Sequence, residues 1–342
     1  MKLSVIIPVR DGGQDFQDVL QALAVSIRPP DELIVVDDGS TDSSADQARR
    51  YSAHVIPLPG GPHGPAIGRN RGASAARGDV LVFLDADVAV HPDTLGLIDR
   101  YMEEQPTVGA LFGSYDDNPP KRGFITRYKN LQHHYVHQHG RREASTFWAG
   151  CGAIRRDLFI AMGGFDEGYA RPSIEDIELG VRLYRAGQQI RLCPDVQVAH
   201  LKRWTLTRWL RADIMDRAIP WTRLILSSAR MPSDLNLDAR SRMSALTAWL
   251  LVACALAGLW FPWAWIGALA SVFLLVFLNA DLYRFFARRG GLGFAVGAFG
   301  LHTLYYLYSS LVFGVLSVWH VLQRAAGAGD IGKPSNLSST RE

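Results

Sequence analysis

The chain has 342 residues, 48% hydrophobic and 20% charged, which excludes a disordered or collagen-like polymer. Its formal charge of +3 conceals a partition: residues 1–200 carry 21 Lys+Arg against 26 Asp+Glu, residues 201–242 carry 9 against 4, and residues 243–342 hold six basic and three acidic groups. No formal charge occurs from Met243 to Ala280 or from Gly290 to Gln323. This distribution predicts an acidic soluble head (1–200), a basic collar (201–242) and a membrane-embedded region (243–322), with a Gly/Ser-rich disordered tail (323–342). Cys151, Cys193 and Cys254 are odd in number and form no Cys-x-x-Cys pair, which argues against a disulfide framework and fits a reducing compartment.

The N-terminal run MKLSVIIPVRDGG is too short for a signal-peptide core and reads as a buried first strand. Short β-rich runs then alternate with helical stretches. Strands are expected at Leu3–Val9, Glu32–Asp37, His54–Pro57, Val80–Asp85 and Gly109–Tyr115. Helices are expected at Gln14–Ser26, Ser43–Tyr51, Ala66–Ala76 and Pro92–Glu104. The pattern is that of an α/β unit built on an open, mostly parallel sheet, whose ligands bind beyond the carboxyl ends of the strands.

Acidic residues stand at three of those ends. Strand one ends in Pro8-Val9-Arg10-Asp11, strand two in Asp37-Asp38-Gly39-Ser40, and the fourth in Asp85-Ala86-Asp87. Carboxylates gathered in one crevice repel each other and call for a cation. Asp85 and Asp87, after the buried run VLVFL, form an oxygen-donor pair suited to Mg²⁺ or Mn²⁺, with helix capping as the plainer alternative. Neither a dinucleotide fingerprint nor a G-x-x-x-x-G-K-[ST] loop is present. The segment Gly60–Gly68, ahead of Arg69-Asn70-Arg71-Gly72, reads as a loop over a phosphate site or as a plain surface loop.

In the run Leu131–His139, His133 and His137 share a helical face, a zinc-binding spacing that lacks the carboxylate of H-E-x-x-H. With Phe124, Tyr128 and Tyr135 nearby, a helix at a membrane or acceptor entrance is the preferred reading. In the stretch Phe147–Gly187, Glu175-Asp176 opens a helix whose Ile177, Val181 and Tyr184 form a core-facing stripe. Asp176 there either complements the helix dipole or serves as a general base.

The collar around 205–231 interleaves Arg with Trp204, Trp209, Trp221, Leu and Ile, a pattern for helices at an anionic membrane surface, and the acidic head argues against nucleic acid. The uncharged run 243–280 is 38 residues, about 57 Å as a helix, nearly twice a bilayer core of ~30 Å. Pro262 lies among Trp260, Phe261, Trp263 and Trp265, so two helices in a hairpin are expected, about 244–260 and 263–283. Arg284, Arg288 and Arg289 then place that end on the cytoplasmic side. A third run, 292–322, is long enough for one tilted span or a re-entrant segment, with His302 expected as a neutral residue bonded to a neighbouring helix. The expectation is a multi-pass protein of the inner or plasma membrane with a cytoplasmic head.

Taken together, SVIIPVRDGG, IVVDDGSTD, AIGRNRGASAARGDVLVFLDADV, GGFDE and IEDIELGVRLYRAG resemble a family 2 glycosyltransferase of the GT-A fold over about residues 2–200. The resemblance implies an inverting transferase that uses a nucleotide-activated sugar (a UDP-sugar favoured) and a divalent ion. On that pattern Pro8, Arg10, Asp11 and Asp38 line the base and ribose pocket. Arg69 and Asn70 approach the sugar or diphosphate, Asp85 lies near the ribose and the metal, Asp87 reaches the metal, and Asp176 activates the acceptor. Glu175 and Trp148 fall on the acceptor or diphosphate side. His200-Leu201-Lys202-Arg203-Trp204 resembles the Q-x-x-R-W element of processive members, with His in place of Gln. The departure argues against processive polymer synthesis and leaves His200 either as a metal or diphosphate contact or as a structural residue at a strand end, with Arg203 expected near the diphosphate and Trp204 near an acceptor. The expected acceptor is a lipid-linked or saccharide hydroxyl near the membrane. The competing readings are a nucleotidyltransferase and a membrane scaffold or transporter component with an inactive head.

Overall fold

A computed structural model describes residues 1–227 and 239–325. The described residues form two compact units, 1–205 and 206–325. The part of the collar at 228–238 and the tail from 326 lie outside the described residues.

The first unit runs β1 (Leu3–Val9), α1 (Gly13–Ala24), β2 (Glu32–Asp37), α2 (Ser44–Arg50), β3 (His54–Pro57), α3 (Pro65–Ala75), β4 (Val80–Leu84), β5 (Val88–Val90), α4 (Thr94–Glu104), β6 (Val108–Tyr115), α5 (Phe124–His139), β7 (Glu143–Ala144), β8 (Cys151–Arg155), α6 (Arg156–Ala161), α7 (Glu175–Arg185) and β9 (Gln189–His200). In this unit every expected strand and helix forms, with ends displaced by at most two residues, but the buried stripe of α7 runs through Leu179 and Leu183 while Tyr184, expected in it, is exposed. The sheet order is β3-β2-β1-β4-β8-β6-β9-β5, with β7 beside β9. Strands β3, β2, β1 and β4 are mutually parallel. The other half is mixed: β8 is antiparallel to both β4 and β6, while β6 and β9 are parallel. The mixed half rests on β8 and β9, which lack the uniform apolar signature of the first strands.

The apolar runs are buried on both faces, as a sheet covered by helices requires. Leu3, Val5, Ile7 and Val9 point into one core with Phe16, Val19 and Leu20 of α1 and Leu95, Ile98 and Met102 of α4. Ile6, Leu81 and Phe83 point the other way, against Ala66 and Ala73 of α3, Phe159 of α6 and Leu179 and Leu183 of α7. Helix α7 approaches the loop before β8 so closely that a Cβ on Gly180 would lie 2.2 Å from the backbone nitrogen of Phe147.

The second unit contains α8 (Leu206–Arg211), a π-helical stretch (Ala212–Ala218), α9 (Ile219–Ser227), α10 (Ala239–Ala257), α11 (Ala264–Leu278), α12 (Ala280–Gly290) and α13 (Leu292–Ala325). The turn at Pro262 forms, with the Trp265 Nε1–H donating to the Gly258 carbonyl at 3.1 Å. The helix expected over 263–283 is instead broken, and α11 and α12 meet at 78°. The cause is Asn279, which leaves helical geometry and turns its side chain inward. Its Nδ2 donates to Ser244 Oγ at 3.0 Å and to the Leu275 carbonyl, and its Oδ1 accepts from Tyr306 at 2.8 Å. The charged residues Arg284, Arg288 and Arg289 therefore fall on α12 rather than after a span. Helix α13 is long and apolar enough to cross a membrane, and the bent α11–α12 pair qualifies only if both helices count as one span.

Side chains in this unit are distributed inside out. Leu246, Leu269, Phe273, Phe277, Val296 and Trp319 are exposed, whereas Asp213, Ser271 and His302 are buried. His302 Nδ1 shares a 3.2 Å hydrogen bond with Tyr283 of α12, and Asp213 accepts from Trp209 and Tyr308, both at 2.8 Å.

The Gly180 contact is checked by thermal melts of the full chain in detergent. Gly180→Ala meets backbone and is expected to cost about 1–3 kcal/mol. Gly96→Ala, whose new Cβ meets nothing nearer than 3.6 Å within α4, is expected to gain roughly 0.5–1 kcal/mol.

Candidate active site

The carboxyl ends of β1 and β2 carry two carboxylates that organise loops. Asp11 adopts a positive φ of 48°, a conformation that non-glycine residues hold only where surrounding contacts enforce it. The enforcing contacts are reciprocal: the Asp11 carboxylate accepts from Thr41 N at 2.7 Å and Thr41 Oγ1 at 3.0 Å, and the Asp11 N–H donates to Ser40 Oγ. The Thr41 donors hold this carboxyl below the usual carboxylate range. Asp38 is buried and accepts three bonds of 2.9 Å from the backbone N–H groups of His63 and Gly64, so it pins the Gly60–Gly64 loop ahead of α3. Pro8 closes against the same helix, where a Cβ on Gly68 would sit 2.9 Å from its own Cβ. Arg10 lies half-exposed, 3.8 Å from Asp11.

Between β4 and α7 lies a buried chain of charges. Arg69 on α3 donates through one terminal nitrogen to Asp85 Oδ1 at 2.6 Å and through the other to Glu175 Oε1 at 2.8 Å. It is only 4% exposed, with its guanidinium over the Phe165 ring. Asn70 also turns inward, donating to the Phe165 carbonyl and Glu167 and accepting from Phe165 N. Asp176 follows Glu175 in the first turn of α7 and accepts from Ala149 N at 3.0 Å and its neighbour Ile177 N at 2.8 Å. Burial, with the adjacent Glu175 charge, pushes the Asp176 carboxyl up to about 7.

The Asp85-Ala86-Asp87 turn joins β4 to β5, and β5 pairs antiparallel with the end of β9 so that Val88 faces His200. Leu201 N donates to the Asp87 carbonyl at 2.8 Å. That pairing, not sequence proximity, sets His200 Nε2 3.9 Å and Lys202 Nζ 3.6 Å from the Asp87 carboxylate. His200 stacks on Tyr115 at 4.3 Å and 6°, and Lys202 lies over the buried Trp204 ring. Trp204 is fixed by a 2.9 Å bond from its backbone N–H to Thr126 Oγ1, while Arg203 is exposed. Trp148 packs edge-on against Tyr115 and beside His133 and His137. His137 bonds the Gly113 carbonyl through Nδ1 at 2.9 Å, and burial pushes it down to about 4, so it is a neutral packing residue.

Asp87 and His200 supply one carboxylate and one imidazole, a set that fits a hard divalent ion completing its shell with substrate phosphates. No group of three or more metal-ligating side chains occurs among the described residues. The expected Asp85 is engaged by Arg69 on one oxygen. Sequence reasoning missed Lys202 and Tyr115. Lys202 could have been found inside the His200–Trp204 element, whereas nothing in the sequence distinguishes Tyr115 at the end of β6.

A sequence profile described as glycosyl transferase family 2 matches residues 4–163. The N-terminal unit belongs to that family. Its fold is GT-A. Among relatives, the chain is 32% identical over 220 residues to the pre-mycofactocin glycosyltransferase of Mycobacterium tuberculosis, covering 61% of this chain and 44% of that protein. It is 28% identical over 239 residues to the probable glycosyltransferase YdaM of Bacillus subtilis, covering 62% and 55%. The chain thus spans about half the length of these relatives. Among solved structures, the mannosyltransferase PcManGT from Pyrobaculum calidifontis, in complex with GDP-Man and Mn²⁺, is 19% identical with a TM-score of 0.55, covering 89% of this chain and 87% of that one, a likeness of fold.

In this family 2 unit, Asp38→Ala would strip three hydrogen bonds from the Gly60–Gly64 loop. Each orphaned backbone donor costs about 1–3 kcal/mol if it stays buried, so the loop is expected to open. Limited proteolysis should show faster cleavage within residues 59–64 than in the wild type. Unchanged cleavage would mean that the loop is held by other contacts.

Proposed function

We propose that this chain is a membrane-attached, inverting glycosyltransferase that moves a sugar from a nucleoside-diphosphate donor, UDP-linked by preference, to a hydroxyl of a lipid-linked or saccharide acceptor. The observation that carries the reading is a carboxyl held near neutrality at Asp176, tied through Glu175 and Arg69 to the Asp85 turn. A base of that kind is poised to take a proton at physiological pH.

The step is a single displacement. The acceptor hydroxyl oxygen attacks the anomeric carbon, its proton passes to Asp176, and the bond between the anomeric carbon and the diphosphate oxygen breaks with its electrons leaving on the nucleoside diphosphate. One attack from the face opposite the leaving group inverts the anomeric centre. Asp11 and Asp38 shape the loops around the nucleoside, and Asp87 and His200 are the side chains that would hold Mg²⁺ or Mn²⁺. Such an ion, when bound, would neutralise charge developing on the diphosphate. The Mn²⁺ and GDP-Man bound to the archaeal mannosyltransferase support this donor class. Lys202 supplies further positive charge beside Asp87, and the half-buried Trp148 offers aromatic surface for the acceptor, whereas Trp204 is buried beneath Lys202.

The second unit supports membrane attachment through its exposed apolar and buried polar side chains, the arrangement a lipid solvent favours. A multi-pass arrangement uses α13 and the bent α11–α12 pair, with α10 beside them. The basic residues of α8, α9 and α12 face anionic headgroups on the cytoplasmic side, the side of the catalytic unit.

The enzyme reading is tested by incubating membranes with UDP-, GDP- and dTDP-sugars with and without Mn²⁺. Metal-dependent release of a nucleoside diphosphate is expected, and its absence for every donor would leave an inactive head on a scaffold. Asp176→Asn should retain donor binding and lose about 10²–10⁴-fold in kcat. Asp87→Ala should lose the metal-dependent part of donor binding, measured by calorimetry. Because Asp176 accepts a proton only when ionised, kcat/KM should fall about tenfold per pH unit below about 7 and level off above it. A profile flat from pH 5 to 8 would remove Asp176 as the base.

A further inference from the structure

Arg69 has the wrong surroundings for a substrate ligand. A guanidinium that binds a diphosphate must present N–H groups to the cleft, yet this one is 96% buried, each terminal nitrogen already donates to a protein carboxylate, and its Nε is buried without a partner. Glu175 is equally enclosed, at 3% exposure, with its second oxygen accepting from Ser173 N at 2.9 Å. Of the three charges only Asp85 reaches the cleft, with its side chain 35% exposed.

We propose that Arg69 and Glu175 are positioning residues, not donor or acceptor ligands: they form a rigid ionic strut that fixes the base Asp176 on α7 relative to the Asp85–Asp87 turn after β4. The inference rests on the assignment of Asp176 as base. The strut has mechanical sense because the two ends lie on separate elements. Asp85 follows a central strand, whereas Glu175 opens a helix reached through the long segment 162–174. Arg69, on a third element, bridges the two side chains. Its planar fork spans both carboxylates, which a single ammonium cannot do in the same geometry.

The strut also sets the charge around the base. The charged groups facing Asp176 are Glu175 on its own helix and Arg69 from α3, joined by the N–H groups of Ala149 and Ile177. Glu175 opposes ionisation of Asp176 and Arg69 favours it, so the strut balances the base as well as aiming it.

Two variants test this. Glu175→Gln keeps an oxygen for Arg69 but removes the charge beside Asp176. The titration midpoint of Asp176 is read without turnover, from the protonated-carboxyl infrared band lost in Asp176→Asn. In Glu175→Gln that midpoint should drop by about 1–3 pH units, the size of a like-charge effect at short range. The acidic limb of kcat/KM should move with it. An unmoved midpoint overturns the inference. Arg69→Lys, which keeps the charge and loses the two-way bridge, should lower kcat at least tenfold while leaving the donor KM and the donor Kd within twofold. A raised donor KM and Kd with kcat preserved would make Arg69 a donor ligand and also overturn it. A wild type inactive with every donor sinks the transferase reading, while the infrared midpoints still decide whether Glu175 governs Asp176.

Discussion

The site depends on a buried guanidinium with a carboxylate on either side. Arg69 is surrounded by Asp85, Glu175 and the ring of Phe165, and it has almost no access to water. Burying Arg69 with Glu175 is costly, and removing one member of a buried pair leaves an uncompensated charge worth about 3–5 kcal/mol. An arrangement of that kind is a poor source of net stability and an effective way to fix geometry. Helix α3 and strand β4 follow each other in the chain, whereas Glu175 of α7 lies 106 residues beyond Arg69, and this ion chain gives their ends a single relative placement. The raised proton affinity of Asp176 comes first from its burial and then from the adjacent Glu175 charge, with Arg69 acting against both.

The other edge of the site is set by strand pairing. Asp87 meets His200 and Lys202 because β5 runs antiparallel to β9 and brings residue 88 opposite residue 200. Charge compensation is thus handled differently at the two carboxylates of the Asp85-Ala86-Asp87 turn. Asp85 has a fixed, buried arginine, while Asp87 has an exposed lysine on a flexible stem. The second carboxylate is the one whose partner is mobile enough to be exchanged for an incoming ion, as the proposed metal assistance requires.

The apolar unit obeys the converse of the rule that shapes the first. Its large hydrophobic residues face outward and its polar residues pair inward, through Asn279, Ser244 and Tyr306 in one group and Asp213, Trp209 and Tyr308 in another. Asn279 shows how one polar residue redirects a helix. By bonding to neighbouring helices it ends α11 early and turns α12 away at 78°, so the second helix expected of the hairpin, over 263–283, became two.

Much of the first unit was legible because its strands are buried on both faces and therefore read as unbroken apolar runs between helices of regular period. The turns after β1, β2 and β4, and the acidic start of α7, were visible for the same local reason. Residues 189–200 were not, since Arg191, Pro194, Asp195 and Gln197 interrupt the run and the strand is recognised only by the partners on either side of it. Composition and periodicity determined the α/β class, the acidic strand ends, the base candidate and the apolar second half. Only the tertiary structure decided that Arg69 is an internal strut and not a ligand, that Lys202 faces Asp87, and that Asn279 breaks a helix. Each of those depends on which distant groups meet in a place where water cannot compensate them, and one-dimensional order does not carry that information.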